Sequence, residues 1–280
     1  MNIRFTKMHG IGNDFVVINA IEQNISLTTD QISKIADRHF GVGCDQLLLV
    51  EKPTSAEADF RYRIFNADGG EVGQCGNGAR CFAKFVFDSG LTDRKNIPVE
   101  TASGLIFLQL EDNDQVTVNM GVPNFEPPEI PFITSEASEK PPEYYRLIVN
   151  HNKYAIGAVS IGNPHAVLLV ESIEEAKVAK LGPAIESHEQ FPERVNVGFM
   201  EIVNRTHIRL RVYERGSAET LACGSGACAA VAVGIRNRLL DDTVEVELRG
   251  GMVRVQWSGE GQPINLTGPA ETVYEGQIKL

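Results

Sequence analysis

Residues 75–79 read CGNGA, and 148 residues later the chain reads CGSGA at residues 223–227. The sequence before each copy is repeated at the same spacing, because RYRIFN at residues 61–66 returns as RLRVYE at residues 209–214. Two blocks with one spacing indicate that a long segment has been duplicated, rather than that two glycine-rich turns agree by accident.

Two further blocks extend the repeat toward the N-terminus. Ile-Gly-Asn at residues 11–13 returns at residues 161–163, and Gln46 aligns with Asn196 at the same spacing of 150 residues. Each Ile-Gly-Asn leads into an apolar run. Four blocks in the same order predict two homologous halves, each with one cysteine before a glycine-rich segment.

The composition describes an ordinary globular protein. Of the 280 residues, 42% are hydrophobic and 22% are charged, and a chain of this length corresponds to about two domains. The formal net charge of −11 and the lack of a basic stretch argue against a nucleic-acid partner. The N-terminal segment carries Lys7, His9 and Asp14 where a signal peptide is apolar, and no apolar run is long enough to span a membrane. We therefore expect a cytoplasmic protein without a membrane partner.

The chain has five cysteines, an odd number that argues against a disulfide framework. Free cysteines are often small buried hydrophobic residues, and we interpret Cys44, Cys81 and Cys228 in that way. Cys75 and Cys223 differ from them because they form the repeated pair. We expect these two thiols to carry the chemistry.

Alternating and apolar runs predict a chain that is mostly β-strand. Helices are predicted over residues 29–38 and 172–181, and two more are predicted after the repeated cysteines, over about residues 79–88 and 227–239. Residues 123–142 hold six of the 13 prolines and are predicted to connect the two halves.

The position of the repeated cysteines points to a reaction type. The N-terminus of a helix presents unpaired N–H groups and a partial positive charge, which lowers the pKa of a thiol and attracts an anion such as a carboxylate. Two facing thiols can remove a proton from one face of a tetrahedral carbon and return one on the other face. A duplicated cysteine therefore indicates racemisation or epimerisation, since a Cys-His nucleophile needs only one thiol.

Polar residues accompany both cysteines. Asn66 and Glu214 each lie nine residues before a repeated cysteine, at the ends of matching strands. His165 could orient or tune a thiol, and the guanidinium of Arg215 suits a bidentate contact with a carboxylate. Four repeated amides are suited to binding ammonium and carboxylate groups: Asn13, Gln46, Asn163 and Asn196. Taken singly, each of these residues also has an ordinary structural explanation.

Five motifs are specific when taken together: HGIGNDF at residues 9–15, NADG at 66–69, CGNGARC at 75–81, GNPH at 162–165 and ACGSG at 222–226. The set resembles the diaminopimelate epimerase family, and the resemblance runs essentially from end to end. Proline racemases and phenazine-pathway isomerases would share the two-lobed fold without the whole set of motifs.

The resemblance implies an α+β fold of two pseudo-symmetric lobes, each a curled, mostly antiparallel sheet around a central helix, with the active site in the cleft between them. The first lobe would span residues 1–122 together with the segment 269–280, and the second lobe residues 123–268. The implied reaction interconverts LL- and meso-2,6-diaminopimelate, in lysine and peptidoglycan biosynthesis, without a cofactor or a metal. The resemblance also implies a homodimer, with Tyr274 at its contact.

The resemblance assigns roles to single residues. Cys75 and Cys223 would be the acid–base pair, one as thiolate and one as thiol, and His165 and Glu214 would tune their protonation. The substrate-binding residues would be Asn13, Gln46, Asn66, Gly76, Asn77, Asn163, Asn196, Glu214, Arg215, Gly224 and Ser225.

Within that set, the resemblance implies that different residues bind the two ends of the substrate. The anion cradles at residues 76–77 and 224–225 would hold the reacting carboxylate, and Arg215 with the asparagines would bind the distal amino-acid end. The chain departs from the family pattern at Ala218, where the family often has glycine, and at Ser225, where it often has threonine. Serine keeps both the hydroxyl and the backbone N–H, so the assignment stands.

Two other functions remain open at this stage. A thiol hydrolase or transferase would use one cysteine, such as Cys75 with His165, and would leave Cys223 dispensable. A zinc module would use Cys75, Cys81, Cys223 and Cys228, although their spacing lacks the paired CxxC pattern of zinc knuckles. The sequence favours the epimerase over both.

Overall fold

The computed structural model describes residues 1–73, 75–134 and 141–280. Within them the chain forms two compact units, one made of Met1–Asn119 with Thr267–Leu280 and the other of Met120–Leu266. The predicted connector at residues 123–142 lies partly outside the described residues, and its described part includes the short 3-10 helix Pro127–Glu129. In the described part of the chain, no helix is long and apolar enough to cross a membrane.

Strands make up most of the regular structure. Before residue 120 they are β1 (Asn2–Gly10), β2 (Asn13–Asn19), β3 (Gln46–Glu51), β4 (Phe60–Asn66), β5 (Glu71–Val72), β6 (Asn96–Thr101), β7 (Gly104–Leu110) and β8 (Gln115–Asn119). After it they are β9 (Tyr145–Val149), β10 (Asn152–Ser160), β11 (Pro164–Leu169), β12 (Asn196–Asn204), β13 (His207–Glu214), β14 (Ala218–Thr220), β15 (Thr243–Leu248), β16 (Gly251–Trp257), β17 (Ile264–Pro269) and β18 (Glu271–Lys279). The α-helices are α1 (Ala20–Gln23), α2 (Thr29–Ala36), α3 (Gly76–Asp88), α4 (Val178–Glu186) and α5 (Gly224–Arg236).

Both units pair their strands in a mostly antiparallel manner. In the first unit the order is β18-β1-β2-β3-β4-β6-β7-β8, with β5 added to β4, and the parallel pairs are β2–β3 and β4–β6. In the second unit the order is β9-β10-β11-β12-β13-β15-β16, with β14 added to β13, and the parallel pairs are β11–β12 and β13–β15. The predicted α+β class, dominated by antiparallel sheet, is confirmed.

The strand register repeats between the two units. Leu47 pairs with Phe65 between β3 and β4, and Val197 pairs with Tyr213 between β12 and β13, which are the equivalent positions of the sequence repeat. A side-chain pair repeats as well. Arg63 contacts Glu71 at 2.7 Å, and Arg211 contacts Glu219 at 2.7 Å, in both cases between a long strand and the short strand beside it. The sequence repeat therefore corresponds to a repeat of hydrogen-bonding register.

One long helix in each unit is buried by the sheet. In α5 almost every residue is buried, and the helix packs against β10, β11, β12, β13 and β16. Helix α3 packs against β1, β2, β3, β7 and β8 in the same manner. A helix that is apolar on all sides is stable only when it is surrounded. The curled sheets supply that surrounding, because they contact each helix from several directions.

The helix predictions hold in part. Helices α3 and α5 begin at Gly76 and Gly224, three residues before the predicted starts, because each repeated cysteine is itself the N-cap. The predicted helix over residues 172–181 is wrong, since α4 spans Val178–Glu186. The hydroxyl of Ser172 accepts a hydrogen bond from the N–H of Glu175, which favours a turn at that point.

Close contact between β10 and α5 requires glycine at position 157. A Cβ atom there would lie 2.4 Å from Cγ1 of Val233, whereas a Cβ at Gly198 of β12 would meet nothing closer than 3.6 Å. We expect Gly157→Ala to lower the free energy of unfolding by about 1–3 kcal/mol and Gly198→Ala to change it by less than about 1 kcal/mol. Urea denaturation of both variants measures the difference, and equal effects would contradict this packing.

Candidate active site

Cys75 caps the N-terminus of α3. Its backbone is extended, with φ −143° and ψ 123°, and its carbonyl accepts the first helical hydrogen bond from the N–H of Ala79 at 2.8 Å. The helix start lies against Tyr62, whose hydroxyl donates to the carbonyl of Cys75 at 3.4 Å. A Cβ at Gly78 would lie 2.5 Å from that hydroxyl oxygen, so only glycine lets this turn approach β4 so closely.

Amide side chains surround the start of α3. Oδ1 of Asn13 accepts from Sγ of Cys75 at 3.8 Å and from Nδ2 of Asn77 at 3.1 Å. Nε2 of Gln46 donates to Oδ1 of Asn66 at 2.9 Å. Asn13 and Gln46 begin the neighbouring parallel strands β2 and β3. Asn66, the last residue of β4, pairs with Gln46 of β3. The strand register therefore collects the predicted polar residues of the first unit at one end of the sheet.

A charged cluster that the sequence analysis missed lies behind Asn13. Arg38 makes a bidentate contact with Asp14, at 3.0 and 2.7 Å, and also contacts Asp45 at 2.7 Å. Lys7 contacts the same carboxylate of Asp14 at 2.5 Å. Burial acts to raise the pKa of Asp14, but the hydrogen bonds from Arg38 and Lys7 outweigh it and hold that pKa well below its usual range.

Cys223 caps the N-terminus of α5 in the same extended conformation, with φ −127° and ψ 106°. Its Sγ accepts from the N–H of Gly226 at 3.3 Å and lies 3.7 Å from Oγ of Ser225. Burial, followed by the charge of Glu214 and a hydrogen bond to it, raises the pKa of Cys223 well above its usual value. The expectation that the helix terminus lowers the pKa of this thiol is therefore wrong, because burial outweighs the hydrogen bond that the N–H of Gly226 donates to the sulfur at the helix start.

Glu214 occupies the last position of β13, beside the start of α5. Its carboxylate accepts a hydrogen bond from Oγ1 of Thr220, on the neighbouring strand β14. In the first unit the aligned position holds Asn66, so the repeat places an uncharged amide where the second unit has a carboxylate. The two cysteines therefore lie in different electrostatic surroundings.

His165 is buried and contacts an amide rather than a thiol. Its Nε2 lies 2.9 Å from Oδ1 of Asn163, and since that oxygen only accepts, Nε2 carries the proton. Nδ2 of Asn163 in turn donates to Oγ of Ser225 at 3.4 Å. Burial, followed by the charge of Arg215, lowers the pKa of His165 to about 3. This residue is neutral near pH 7, where it fixes the orientation of Asn163.

Asn196 holds the segment that follows Glu214. Its Oδ1 accepts from the N–H of Arg215 at 2.9 Å, and its Nδ2 donates to the carbonyl of Pro164 at 3.3 Å. Buried Glu186, which the sequence analysis missed, accepts from the N–H of Gly216 at 3.1 Å. Arg215 is exposed, and its Nη1 donates to the carbonyl of Glu193 at 3.0 Å.

The predicted site residues fall into two groups. The first unit holds Asn13, Gln46, Asn66, Cys75, Gly76 and Asn77, and the second holds Asn163, His165, Asn196, Glu214, Arg215, Cys223, Gly224 and Ser225. Tyr274 belongs to neither group and lies on β18, where its ring contacts that of Phe5 with centroids 6.0 Å apart. Among the described residues, no three histidine, cysteine, aspartate or glutamate side chains are arranged to hold a metal ion. The described residues thus offer no support for the zinc module.

The depressed pKa of His165 predicts an acid-sensitive fold. Below the usual pKa of 6.5 the unfolded chain takes up a proton that the folded chain refuses until about pH 3, so stability is lost as the pH falls through that window. We expect His165 to account for a loss of about 2 kcal/mol between pH 7.5 and pH 5. In His165→Gln, which keeps an N–H donor for Asn163, urea denaturation at the two pH values should show this difference removed. A variant with the same acid sensitivity as the wild type would contradict the assignment.

Sequence comparison finds relatives along the whole chain. A sequence profile of the family described as diaminopimelate epimerase matches residues 5–126 and 157–273. The diaminopimelate epimerase of Nitrosomonas europaea is 60% identical over 280 residues, which is 100% of each chain. The diaminopimelate epimerase of Nitrosospira multiformis is 55% identical over 280 residues, which is 100% of this chain and 99% of that one.

Solved structures show the same fold at low sequence identity. A phenazine biosynthesis protein of the PhzF family from Bacillus anthracis matches with a TM-score of 0.72 at 18% identity, over 100% of both chains. A hydroxyproline epimerase from Agrobacterium vitis matches with a TM-score of 0.71 at 16% identity, over 99% of this chain and 92% of that one. With a profile match along most of its length and a relative 60% identical from end to end, the chain belongs to the diaminopimelate epimerase family, as the five sequence motifs predict.

Proposed function

We propose that this chain interconverts LL- and meso-2,6-diaminopimelate by two-thiol proton transfer at the α-carbon. The observation that carries the proposal is the equivalence of Cys75 and Cys223. Each is the N-cap of a buried helix, and each follows the end of a matching strand, β4 or β13, by nine residues. A pair of equivalent thiols suits inversion, because one thiolate removes the α-proton while the opposite thiol supplies another. Membership of the family supports the choice of substrate.

The reacting carboxylate would lie at the two helix N-termini. The first-turn N–H groups of α3 and α5, at residues 76–77 and 224–225, are donors of the kind that bind anions. Negative charge moves onto the carboxylate oxygens as the α-proton leaves, so donors aimed at those oxygens stabilise the transition state more than the substrate. This gives both helix starts a part in the reaction beyond placing the sulfur atoms.

Glu214 and His165 would act differently from each other. Glu214 keeps the proton on Cys223, since it raises the pKa of that thiol, and Cys223 is then the acid when Cys75 is the base. When Cys223 gives its proton to the α-carbon it is left as the thiolate, and it is then the base for the reverse direction, in which Cys75 is the acid. His165 would act through Asn163, which it orients, rather than on a thiol.

The remaining predicted residues would recognise the distal end of the substrate. Arg215 is exposed, its guanidinium is suited to a carboxylate, and its backbone is fixed by Asn196. We propose that each lobe, residues 1–122 with 269–280 and residues 123–268, supplies one of the two thiols, and that no cofactor takes part.

The proposal extends to the location and the oligomeric state of the protein. We propose a cytoplasmic homodimer that forms through β18, on which Val273 and Tyr274 are exposed. A strand that exposes apolar side chains is a surface that another chain can cover.

Proton NMR in D2O tests the reaction directly. The reduced protein is incubated with LL-diaminopimelate, without pyridoxal phosphate or added metal, and the α-proton signal is followed. Loss of that signal with appearance of the meso isomer is the expected result. Exchange with proline instead would keep the two-thiol chemistry and replace the substrate, since the hydroxyproline epimerase of A. vitis shares the fold. No exchange with either compound would overturn the proposal.

A further inference from the structure

The orientation of the Asn13 amide is set by a carboxylate that has no assigned role. Nδ2 of Asn13 donates to Oδ2 of Asp45 at 2.9 Å. A carboxylate only accepts hydrogen bonds, so the Asn13 atom that faces it is the nitrogen. The carbonyl oxygen is then the atom turned toward Sγ of Cys75 and Nδ2 of Asn77.

Asp45 is itself held firmly. Its Oδ1 accepts from Arg38 at 2.7 Å, its Oδ2 also accepts from the N–H of Asp14 at 3.1 Å, and its own N–H donates to the carboxylate of Asp14 at 2.9 Å. Both carboxylate oxygens therefore have fixed partners, and the side chain cannot turn without breaking a contact with Arg38 or Asn13. The charged cluster behind Asn13 acts as a support for one amide.

The second unit orients its equivalent amide in the opposite sense. There Nε2 of His165 donates to Oδ1 of Asn163, and Nδ2 of Asn163 donates to Oγ of Ser225, beside Cys223. The repeat places Val195 where the first unit has Asp45 and Phe15 where the second has His165. Each half thus has its own orienting residue. In the first unit the amide oxygen of Asn13 is directed toward the cysteine, and in the second unit the amide nitrogen of Asn163 is directed toward the serine beside the cysteine.

We propose that Asp45 is a positioning residue for the Cys75 thiol: by binding Nδ2 of Asn13 it turns the carbonyl oxygen toward Sγ, so that this partner of the sulfur accepts a hydrogen bond and cannot donate one. The inference rests on the proposed function of Cys75 as a base. A thiolate that receives no hydrogen bond from Asn13 is a stronger base toward the α-proton, and the thiol form is favoured once that proton has been transferred to it.

Two other titratable groups of the first unit that interact with Cys75, Tyr62 and Cys81, are neutral near pH 7. Burial raises the pKa of Tyr62 well above its usual value, and it raises the pKa of Cys81 to about 12. Neither group changes charge in the range where a thiol at the start of a helix titrates. These two groups therefore keep a constant charge while Cys75 titrates. The Asn13 amide, which Asp45 orients, is a separate influence on that thiol.

Alkylation of Cys75 in Asp45→Asn tests the inference apart from catalysis. Trypsin releases residues 64–80 as a peptide in which Cys75 is the only cysteine, so mass spectrometry reads its iodoacetamide label without interference. With the carboxylate gone, the Asn13 amide is free to turn its nitrogen to the thiolate. We expect the midpoint of the pH profile of alkylation to fall by about one unit, while the rate of α-hydrogen exchange with LL-diaminopimelate decreases roughly tenfold.

A double-variant cycle separates this effect from loss of charge: in an Asn13→Ala background, where no amide can turn, Asp45→Asn removes the charge alone and should shift the midpoint far less than in the wild type. Two further variants complete the controls. Asp45→Glu keeps a carboxylate and should return the midpoint toward the wild-type value. Asp59→Asn removes an equally ion-paired aspartate, bound to Arg94 at 2.9 Å and lying before β4 at the end away from Asn66, and should leave the midpoint unchanged. Should Asp45→Asn fold poorly, Asp45→Ser must give the same downward shift.

The possible outcomes have distinct meanings. A downward shift of the alkylation midpoint in Asp45→Asn, relative to a wild-type protein that interconverts the isomers, supports the inference. An unchanged midpoint in both Asp45→Asn and Asp45→Ser overturns it, whatever happens to turnover. If the wild type shows no exchange with diaminopimelate but the midpoint still shifts, the proposed function fails and the positioning of Cys75 by Asp45 stands.

Discussion

Replacing either Cys75 or Cys223 by alanine is expected to abolish the interconversion of the LL and meso isomers in both directions. Inversion needs a proton removed on one face and supplied on the other, so the remaining thiol cannot complete the reaction. We expect each substitution to lower the rate roughly a thousandfold or more, the scale at which a positioned acid or base contributes. Chromatographic separation of the isomers, after incubation from each starting isomer, measures the loss.

Each helix offers a matched control. Cys81 lies in α3 and Cys228 in α5, and both are buried on the helix that the reactive cysteine caps. Cys81→Ala and Cys228→Ala should keep most of the activity and show only the modest loss of stability that follows from a small cavity. Full activity in Cys223→Ala would instead support a single-thiol hydrolase or transferase that uses Cys75.

The sequence was sufficient for the parts of the site that local patterns encode. The repeated CGxGA segments predict two cysteines at helix starts, and the structure places both cysteines at N-caps. The aligned strand ends predict that Asn66 and Glu214 occupy equivalent positions, and β4 and β13 end at these residues. Such features depend on spacing along the chain, which a single sequence displays.

The supporting contacts could not be found in this way, because they join residues that are distant in sequence and absent from the repeat. Asp45 is 32 residues from Asn13, and its repeat counterpart is Val195. Glu186 supports Gly216 from 30 residues away, on a helix whose start the sequence pattern placed too early. The nine residues of α4 begin without a side-chain cap, so the usual signal for a helix start is missing.

The protonation of Cys223 also required the three-dimensional structure. From sequence, a helix N-terminus lowers the pKa of a thiol, and the sequence does not reveal how completely the thiol is buried. Cys223 is only 4% exposed and lies beside Glu214, and these two factors raise its pKa. The effect of burial is larger than that of the opposing hydrogen bonds from Ser225 and from the N–H of Gly226.

Glu214→Gln should therefore change the pH dependence of the enzyme as well as its rate. The substitution removes the negative charge beside Cys223, so the pKa of that thiol should fall. A two-thiol mechanism loses activity at high pH, when both sulfurs are ionised and no acid remains. The alkaline limb of the kcat/KM profile should then move to lower pH by about one unit, and kcat should decrease roughly a hundredfold.

Glu219→Gln provides the control, since it removes the same charge one strand away. Glu219 lies on β14 and pairs with Arg211 at 2.7 Å rather than with a cysteine. Its substitution should leave the alkaline limb in place and cost little activity, because a partly exposed ion pair contributes less than about 1 kcal/mol. Glu214→Asp, with the carboxylate retained, should restore part of the wild-type profile.

The asymmetry between the halves gives this comparison its meaning. A carboxylate beside Cys223 and an amide, Asn66, at the equivalent place in the other half mean that the two thiols do not share one environment. One of them must be protonated when the other is not, and unequal surroundings allow each to be adjusted separately. If Glu214→Gln lowers kcat while the alkaline limb stays where it is, Glu214 acts on the substrate alone, and the protonation of Cys223 is governed by burial.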